Sequence, residues 1–438
     1  MLERFERFVF EKMKKHRMPS VAVSVVKEGE LIYSKAWGFS DLERKLKATP
    51  KTVYGIGSIS KSFACLAVLK LAEEGKLSLN DPVEKYVPLK LDGVKIHHLM
   101  SHTSGIPGLG YAEESIRQQI FGGDNFLPVA DIDDLVMFMK GISEWYLFKP
   151  GERWFYLNEG YEILERTVEV VSGKSYKDFL REEIFKPLGL SCRFLDEPSE
   201  DFAAPYYVKG NEIRRAPSLG GPMNGAGGIA CSSEELAMYG YSFVSRKSVV
   251  SEEALSDMES PKVEIPIEIP FGRYGYGYGL MVMGDFFGRK LVGHGGSVLV
   301  YTAQMFYSRE EDISIAILSN SSGYSVKNLA LYALSEIFGE DPEELPFAKT
   351  EKVFEKLTGE YHSYMSTIRA KVVRSADFLK MILKEDFEEM EVILVPEVLS
   401  EDSARFYTLM GGSKIPVEFF KKDGKVLMIY ERYVLEKV

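Results

Sequence analysis

Residues 53–63 have the sequence VYGIGSISKSF, in which a strand or turn leads into a helix. The apolar run that follows predicts a helix that ends near Gly75, a C-cap signal. Ser58 and Lys61 stand three residues apart, so in a helix their side chains lie on one face and within reach of each other. An amine that takes the proton of a serine hydroxyl makes the oxygen a good nucleophile. The stretch therefore predicts Ser58 as a nucleophile at a helix N-terminus, where developing negative charge is favoured.

Another copy of the Ser-x-x-Lys pattern occurs at Ser24 and Lys27. That copy lies in an alternating, β-branched run that predicts a strand. In a strand, side chains three residues apart point to opposite faces, so the two groups cannot meet. We interpret this copy as chance, and the four-residue pattern needs other motifs before it assigns a function.

At 438 residues the chain is long enough for two or three domains. Hydrophobic residues make up 45% and charged residues 27%, which is typical of a globular protein. The net charge of −11 argues against nucleic acid and against an anionic membrane surface as partners. The sequence contains no apolar run of the ~20 residues that span a bilayer, and its first residues predict an amphipathic helix and not a signal peptide.

The chain has three cysteines, Cys65, Cys192 and Cys231. Cysteines that are odd in number and scattered predict a reducing compartment and no disulfide framework. Together with the N-terminal pattern, they predict a cytoplasmic protein. Glutamine occurs only three times while Glu and Lys are abundant, which is a compositional tendency of thermophiles.

Strands are predicted near both ends of the first 340 residues, with helices between them. The predicted strands are residues 21–26, 30–38, 275–282, 290–294, 302–307 and 313–319. The first two form a hairpin and the last four an antiparallel meander, which is followed by a helix. This order indicates one α+β domain at residues 1–340, with an antiparallel sheet built from both ends of the segment and a helical region between them.

The composition changes after residue 340. Residues 341–355 begin with an acidic, proline-containing stretch and are predicted to be a linker. In residues 356–438, short alternating runs are separated by turn signals such as Lys422-Asp423-Gly424. This pattern of short strands and turns predicts a small antiparallel β-barrel, and we find no catalytic motif in it.

Tyr156 and Asn158 form a second candidate motif, Tyr-x-Asn, after a Lys-Pro-Gly turn signal. A tyrosine beside a positively charged lysine loses its proton more easily and can serve as an acid or a base. Taken alone, the motif describes a core tyrosine beside a turn more often than a catalytic one.

His294, Gly295, Gly296 and Ser297 form a third candidate motif at the end of a predicted strand. Paired glycines let a substrate backbone approach closely, and a backbone N–H group there could complete an oxyanion hole. Taken alone, the motif is more often a strand-ending turn with an incidental histidine. His102, which has no evident acidic partner in the sequence, is interpreted as structural support.

No metal or cofactor is predicted. His97 and His98 are adjacent and cannot share a face, and no cysteine or acidic residue stands at ligand spacing from them. The sequence also lacks a glycine-rich phosphate loop of the P-loop or Rossmann type.

Ser-x-x-Lys, Tyr-x-Asn and His-Gly-Gly occur in the order found in the penicillin-recognising serine hydrolases. The sequence resembles the CubicO group of this β-lactamase-like clan, which is related to class C β-lactamases, DD-peptidases, D-aminopeptidases and family VIII esterases. Other stretches that resemble the group are residues 71–83 (LAEEGKLSLNDPV), 101–105 (SHTSG), 184–190 (IFKPLGL) and 226–229 (AGGI). The resemblance covers residues 1–340. The segment at 356–438 resembles the lipocalin-like domain of some CubicO proteins, among them archaeal self-compartmentalising serine peptidases.

This resemblance implies a β-lactamase/transpeptidase-like fold and a role for each residue of the first two motifs. Ser58 would be the acylated nucleophile and Lys61 its proton acceptor. Tyr156 would protonate the leaving group and assist the water that releases the acyl group. Asn158 would position Lys61 and the substrate amide.

The third motif departs from the pattern of most β-lactamases, because His294 stands where they have lysine. The resemblance implies that His294 contacts polar groups of the substrate, and a charged imidazole would bind a carboxylate. The N–H groups of Ser58 and of Ser297, next to Gly295 and Gly296, would form the oxyanion hole.

Three functions remain open from the sequence. The first is a serine peptidase that cleaves amide bonds of small peptides, D-residues included, because His-x-Gly occurs in peptidase members of the clan. The second is a carboxylesterase with the same nucleophile. The third is a non-catalytic assembly protein, although the complete set of motifs argues against it. The resemblance also implies a closed homo-oligomer in which access to the active site is restricted.

Overall fold

The chain folds into two compact units, Met1–Glu340 and Asp341–Val438. The computed structural model describes residues 2–122, 127–197, 199–217, 223–375, 377–384, 389–400 and 402–438. The first unit combines a large antiparallel sheet with helices, and the second is a β-barrel with one helix before it.

The large sheet of the first unit joins strands from both of its ends. The strands of this unit are β1 (Ser20–Lys27), β2 (Glu30–Asp41), β3 (Leu46–Lys47), β4 (Tyr54–Gly55), β5 (Arg193–Phe194), β6 (Tyr206–Lys209), β7 (Glu212–Arg215), β8 (Ile229–Cys231), β9 (Val263–Glu264), β10 (Tyr274–Tyr276), β11 (Met281–Phe286), β12 (Arg289–Val298), β13 (Tyr301–Ser308) and β14 (Ile313–Ser319). Among the described residues, nine strands form this sheet in the order β3-β2-β1-β14-β13-β12-β11-β10-β9. Strand β1 pairs with β14, with Val23 opposite Ile317. The predicted α+β architecture is thereby confirmed.

Helices cover the sheet, and most of them come from the part of the chain between its N-terminal and its C-terminal strands. They are α1 (Glu3–His16), α2 (Ser60–Glu73), α3 (Ile96–Met100), α4 (Tyr111–Phe121), α5 (Ile132–Phe138), α6 (Asn158–Ser172), α7 (Tyr176–Phe179), α8 (Ser233–Val244), α9 (Glu252–Glu259) and α10 (Val326–Ile337). Every residue of β14 is buried, and α8 and α10 both pack against this strand. Helix α2 is buried on all sides and contacts α6, which places the charged side chain of Lys61 inside the protein.

The second unit contains a closed antiparallel barrel that begins after a helix. Helix α11 (Pro346–Leu357) precedes the strands β15 (Gly359–His362), β16 (Arg369–Ser375), β17 (Phe378–Lys384), β18 (Glu389–Leu399), β19 (Ser403–Met410), β20 (Ser413–Lys422), β21 (Lys425–Tyr430) and β22 (Tyr433–Lys437). In the described part of this unit these eight strands form the barrel, which β15 closes by pairing with β22. The small antiparallel β-barrel predicted for residues 356–438 is thereby confirmed.

Residues 341–355, expected as a linker, are mostly helical in the structure. Helix α11 starts with Pro346, a residue favoured at the first position of a helix. Val353, Phe354 and Leu357 on this helix are buried in the core of the second unit. The spacing of these three residues gives the helix one apolar face, which explains why it packs against the barrel and does not act as a free connection.

The structure corrects the expectation about the cysteines. Cys192 and Cys231 form a disulfide, and Cys65 is a buried free thiol. The two bonded residues are brought together by the pairing of β5 with β8, in which Arg193 lies opposite Ala230. Disulfides occur in oxidising compartments and also inside hyperthermophiles, so the cysteines do not decide the location and the cytoplasmic assignment stays a prediction.

None of the helices within the described ranges is long and apolar enough to cross a membrane.

Candidate active site

The candidate nucleophile lies on a tight turn between a short strand and a buried helix. Strand β4 leads into a single 3₁₀ turn, Gly57–Ile59, which continues directly as α2. Gly57 has a φ of +51°, and a Cβ atom at this position would lie 2.5 Å from the backbone nitrogen of Ser297. A Cβ atom on Gly296 would lie 1.8 Å from the carbonyl oxygen of Ile56. Only glycine fits at these two positions, and the absence of their side chains brings β12 against the turn that carries Ser58.

Lys61 lies beside Ser58 and has three oxygen neighbours. Its Nζ atom is 3.0 Å from Ser58 Oγ, 2.8 Å from Asn158 Oδ1 and 2.8 Å from the carbonyl oxygen of Ala226. A neutral amine has two N–H donors, which match the oxygens of Asn158 and Ala226. The lone pair of the nitrogen then faces the Ser58 hydroxyl, which is the arrangement of a base next to its proton donor.

Burial lowers the pKa of Lys61 to about 7, and the acidic side chains of Glu162, Glu113 and Glu159 act to raise it only to the extent that each is ionised. A lysine in water is almost entirely protonated at neutral pH. At a pKa near 7 a large fraction of the Lys61 amine is neutral and can accept a proton. The folded structure therefore gives this lysine the acid–base property that a catalytic base needs.

Tyr156 lies two residues before the start of α6 and hydrogen-bonds to the side chain of Ser58. The Nζ atom of Lys61 is 4.8 Å from the centroid of its ring. The side chain keeps some exposure to the cleft, but desolvation by its surroundings raises the pKa of the phenol above its usual value. Tyr156 is therefore protonated at neutral pH. The structure does not support the expectation that a nearby lysine eases its ionisation, and it favours Tyr156 as a proton donor.

Asn158, the first residue of α6, has its side-chain amide oriented by two neighbours. Its oxygen accepts from Lys61, and its nitrogen donates to Glu113 Oε1 at 3.1 Å. Because the two ends of the amide face a donor and an acceptor, the orientation of Asn158 is defined. This contact with Lys61 agrees with the positioning role that the motif implied.

A pair of carboxyl groups on α6 supports the loop that contacts Lys61. Glu162 accepts from the backbone N–H of Ala226 at 3.0 Å, and Glu165 accepts from that of Gly225 at 2.7 Å. Burial, followed by the charge of Glu165, raises the pKa of Glu162 well above its usual range. A protonated Glu162 donates to Glu165, which gives its otherwise unpartnered Oε2 atom a hydrogen bond. The pair thereby holds the carbonyl of Ala226 against Lys61.

His294 lies on β12 with both ring nitrogens hydrogen-bonded inside the protein. Its Nδ1–H donates to the carbonyl of Gly295 at 2.5 Å, and its Nε2 accepts from the hydroxyl of Tyr276 at 3.1 Å. Burial lowers the pKa of His294 to about 3, so the imidazole is neutral at neutral pH. The structure therefore does not support His294 as the cation that binds a substrate carboxylate. The hydrogen bond to Gly295 shows that the histidine instead supports the glycine-containing part of β12.

His102 and Ser24, which the sequence set aside, have structural contacts. His102 accepts from the backbone N–H of Leu157 through Nδ1 at 3.0 Å, and its ring centroid is 4.2 Å from that of Tyr156. It therefore supports the segment that carries Tyr156. Ser24 lies on β1, where its hydroxyl is 2.8 Å from that of Ser233.

The predicted site residues meet at one cleft of about 740 Å³ in the first unit. Those that line it are Ser58, Tyr156, Asn158, His294, Gly295, Gly296 and Ser297. Lys61 lies behind Ser58 and reaches it by the hydrogen bond described above. The structure thus brings all eight residues together from three separate parts of the chain.

Sequence reasoning missed several groups at this cleft. Glu162 could have been found, because it lies one helical turn after Asn158 on the same face of α6. Glu162 does not line the cleft but supports its wall at Ala226, whereas Glu113 on α4 and Lys327 on α10 line the cleft itself. No local pattern distinguishes these two from the many other charged residues on helices, and only the packing of the elements places them here.

Comparison with known proteins agrees with this architecture. Residues 5–336 match the Beta-lactamase family, and residues 342–436 match the Pab87 octamerisation domain. The structure of the octameric penicillin-binding protein homologue from Pyrococcus abyssi is 41% identical in sequence, covers 100% of both chains and has a TM-score of 0.95. This similarity confirms the fold of both units and the family resemblance drawn from the motifs.

Two curated relatives show how far the similarity extends. Penicillin-binding protein 4* of Bacillus subtilis (strain 168) is 26% identical over 391 residues, which cover 82% of this chain and 81% of the relative. Protein flp of Staphylococcus aureus (strain N315) is 30% identical over 219 residues, which cover 48% of this chain but only 42% of the relative. The chain thus spans less than half the length of Protein flp. Because the family match at residues 5–336 includes well over half of the chain, the protein belongs to the beta-lactamase family.

Proposed function

We propose that the protein is a serine peptidase that cleaves amide bonds of small peptides through an acyl-enzyme on Ser58. The observation that carries the proposal is the 3.0 Å contact between Lys61 Nζ and Ser58 Oγ, with the pKa of Lys61 lowered to about 7. A base of this kind next to a serine is the requirement for nucleophilic catalysis at neutral pH.

The proposed first half-reaction moves one proton from the nucleophile to the leaving group. Ser58 Oγ attacks the substrate carbonyl while its proton passes to Lys61. The N–H groups of Ser58 and Ser297 stabilise the oxyanion, because the two glycines of the turn and of β12 allow them to approach. Tyr156 donates its proton to the leaving nitrogen and regains one from Lys61. A water molecule then takes the place of the leaving amine and attacks the acyl group. The proton transfers run in reverse, from the water to Tyr156, from Tyr156 to Lys61, and from Lys61 back to the oxygen of Ser58.

The state of Tyr156 favours an amide over an ester as substrate. An amine leaves only after its nitrogen has been protonated, whereas an alkoxide or phenoxide leaves more readily without a proton. Tyr156 is held in the protonated form and hydrogen-bonded to Ser58. This proton donor is therefore most useful for cleavage of a peptide bond.

We further propose that the chain assembles into a homo-oligomer through its second unit, with restricted access to Ser58. The match of residues 342–436 to an octamerisation domain supports this proposal, as does the similarity to an octameric protein along the whole chain. Size-exclusion chromatography with light scattering should give a mass of several chains, and a monomer would end the proposal.

The activity is tested with matched substrates on the wild type and on Ser58→Ala. Peptide amides with L- and D-residues are compared with a p-nitrophenyl ester of the same acyl group. Amide cleavage that depends on Ser58 supports the peptidase, and the preference for L or D describes the pocket. Ser58-dependent cleavage of the ester alone would make the protein an esterase. Absence of cleavage of any of these substrates would contradict the proposal and favour a structural role.

A further inference from the structure

Tyr276 is a fully buried tyrosine that contacts a residue in the wall of the active-site cleft. It is the last residue of β10, and its hydroxyl group is 3.1 Å from Nε2 of His294 on β12. Strand β11 lies between β10 and β12 in the sheet, so the contact joins two strands that do not pair with each other. The contact therefore depends on these two side chains and not on backbone pairing.

The hydrogen bonds of His294 determine which ring nitrogen carries its proton. Its Nδ1 atom lies 2.5 Å from the carbonyl oxygen of Gly295, and a carbonyl oxygen can only accept, so Nδ1 carries the hydrogen. Because the imidazole is neutral, Nε2 has no hydrogen and accepts from the hydroxyl of Tyr276. Tyr276 thereby disfavours the other tautomer, in which the lone pair of Nδ1 would face the carbonyl oxygen.

The carbonyl that His294 holds belongs to a weakly restrained part of β12. Strand β11 pairs with β12 up to Gly293. In the described pairings, residues 294–298 have a strand neighbour on one side only, which is β13. Gly295 and Gly296 are consecutive in this segment, and without side chains their backbone torsions are less restricted than those of other residues. The hydrogen bond from His294 supplies a restraint that the sheet does not.

The orientation of this peptide unit bears directly on Ser58. The carbonyl of Gly295 and the N–H of Gly296 belong to one planar peptide unit, so a fixed carbonyl fixes the plane. Gly296 packs so closely that a Cβ atom on it would lie 1.8 Å from the carbonyl oxygen of Ile56, in the turn before Ser58. The N–H of Ser297, the proposed second donor to the oxyanion, follows one residue later. Rotation of the Gly295–Gly296 peptide would therefore shift the chain where it approaches Ser58.

The ring of Tyr276 has a separate contact, so the hydroxyl group can be tested alone. The ring centroid lies 6.5 Å from that of Tyr156, at an interplanar angle of 89°. This edge-to-face packing does not use the hydroxyl group. The Tyr276→Phe variant keeps the ring and removes the hydrogen bond to His294.

We propose that Tyr276 is a positioning residue that acts on the oxyanion hole through His294, by fixing the tautomer whose Nδ1–H holds the carbonyl of Gly295. The histidine of the His-Gly-Gly motif is then a neutral hydrogen-bond donor to its own strand, and it depends on a hydroxyl donor at position 276. The inference rests on the proposed function for the role of Ser58, and it adds a residue that the three motifs did not include.

The test is a double-mutant cycle on the rate of Ser58 labelling by a fluorophosphonate. Tyr276→Phe is made in the wild type, in His294→Asn and in His294→Gln. The amide nitrogen of asparagine is two bonds from Cβ, as Nδ1 of histidine is, and can donate to Gly295 without help from Tyr276. The amide nitrogen of glutamine is three bonds from Cβ, as Nε2 is, and reaches toward Tyr276 instead.

Tyr276→Phe should slow labelling of the wild type by about fivefold to fiftyfold, less than the loss of an oxyanion-hole donor itself. The half-saturating concentration of the probe should change by less than about twofold, because the oxyanion hole acts on the transition state. In His294→Asn, the same substitution should change the rate by less than about twofold. His294→Gln should be slower than His294→Asn, since it leaves the carbonyl of Gly295 without its donor.

The final extent of labelling, read by mass spectrometry, separates positioning from loss of structure. A misplaced oxyanion hole slows the labelling of every molecule, whereas an unfolded fraction stays unlabelled. Tyr361→Phe is the matched control, because it removes a buried hydroxyl that donates to the carbonyl of Leu357 in the second unit. It should label fully and at the wild-type rate. A Tyr276→Phe protein that keeps the wild-type rate, whatever its final extent, would overturn the inference.

Equal effects of Tyr276→Phe in the wild type and in His294→Asn would also overturn the inference, because the effect would then not pass through His294. Failure of the proposed function gives a different result. If the cycle shows the coupling while no peptide is hydrolysed, the positioning role stands and the peptidase assignment falls. If peptides are hydrolysed and the two effects are equal, the peptidase stands and the role of Tyr276 falls.

Discussion

The Nζ atom of Lys61 lies 3.0 Å from the Oγ atom of Ser58, and it shares its remaining contacts between Asn158 and the carbonyl of Ala226. This relationship joins three segments of the chain, because Asn158 and Ala226 are 97 and 165 residues away from Lys61 in sequence. It places a base with a pKa near 7 against a hydroxyl group at the edge of a cleft. The following predictions test this arrangement and the structure around it.

Ser58→Ala should abolish covalent labelling by a fluorophosphonate, because the variant lacks the nucleophilic oxygen. Ser24→Ala is the matched control, since Ser24 belongs to the second Ser-x-x-Lys pattern but lies on β1 against Ser233. This control should label at the wild-type rate. Labelling is read by mass spectrometry of the intact protein, and a labelled Ser58→Ala protein would remove Ser58 as the nucleophile.

The rate of Ser58 labelling should rise with pH through about 7 and level off above it. The sign follows from the role of Lys61, because only the neutral amine accepts a proton and the neutral fraction grows as pH rises through the pKa of about 7. Lys61→Ala should lower the plateau by roughly 10²- to 10⁴-fold, the usual contribution of a general base. The rate constants are measured from pH 5 to about pH 9. A rate that falls with pH, or a Lys61→Ala variant of wild-type rate, contradicts the assignment.

Gly296→Ala should lower the labelling rate by about 10²- to 10³-fold, the effect of losing an oxyanion-hole donor. The new methyl group would lie 1.8 Å from the carbonyl oxygen of Ile56 and must push β12 away from the turn of Ser58. Gly295→Ala is the neighbouring control, since its methyl group would meet the flexible end of Gln304 at 3.1 Å and a backbone atom, the carbonyl oxygen of Ala303, only at 4.0 Å. It should keep a rate within about tenfold of the wild type. Similar losses in both variants would show that close approach at Gly296 is not the cause.

Glu162→Gln should leave the labelling rate and its pH dependence unchanged, because the structure already holds Glu162 in its neutral form. The glutamine amide can accept from Ala226 and donate to Glu165, as the protonated acid does. Glu162→Ala should lower the free energy of unfolding by about 1–3 kcal/mol, because it leaves the buried N–H of Ala226 unpaired. Chemical denaturation and pH–rate profiles are the measurements. A shift of the pH–rate profile in Glu162→Gln would mean that Glu162 is ionised in the wild type.

Cys192→Ser should lower the free energy of unfolding by about 2–4 kcal/mol, because the bond to Cys231 closes a loop with a sequence separation of 39 residues. The residue paired with Cys231 on the other side of β8 is Tyr54, four positions before Ser58. Addition of a reductant should destabilise the wild type and leave Cys192→Ser unaffected. Equal effects of the reductant on both proteins would place its action elsewhere.

The local features of the site followed from the sequence. Ser58 and Lys61 are three residues apart and separated by less than one helical turn, and their contact depends on local geometry alone. The strand that carries His294 was predicted over residues 290–294, and in the structure it extends over Arg289–Val298. The family resemblance then related Tyr156 and the glycines to the same site.

Other features depend on groups that meet only after folding. Burial, with a smaller effect of the Lys61 charge, lowers the pKa of His294 and makes it neutral, although its sequence context allowed a cation. The disulfide exists because β5 and β8 pair, and a count of three cysteines could not show which two are neighbours. The helical start of the second unit was hidden by an acidic, proline-containing beginning that resembles a linker.

Sequence periodicity was sufficient for the helix that follows Ser58 and for strands β1, β2, β13 and β14, because these depend on contacts between residues a few positions apart. The charge states of Lys61, Glu162 and His294, and the position of Lys327 at the cleft, were decided by the tertiary structure. The reason is physical: a pKa depends on desolvation and on charges within a few ångströms, and in a folded chain those neighbours come from distant parts of the sequence.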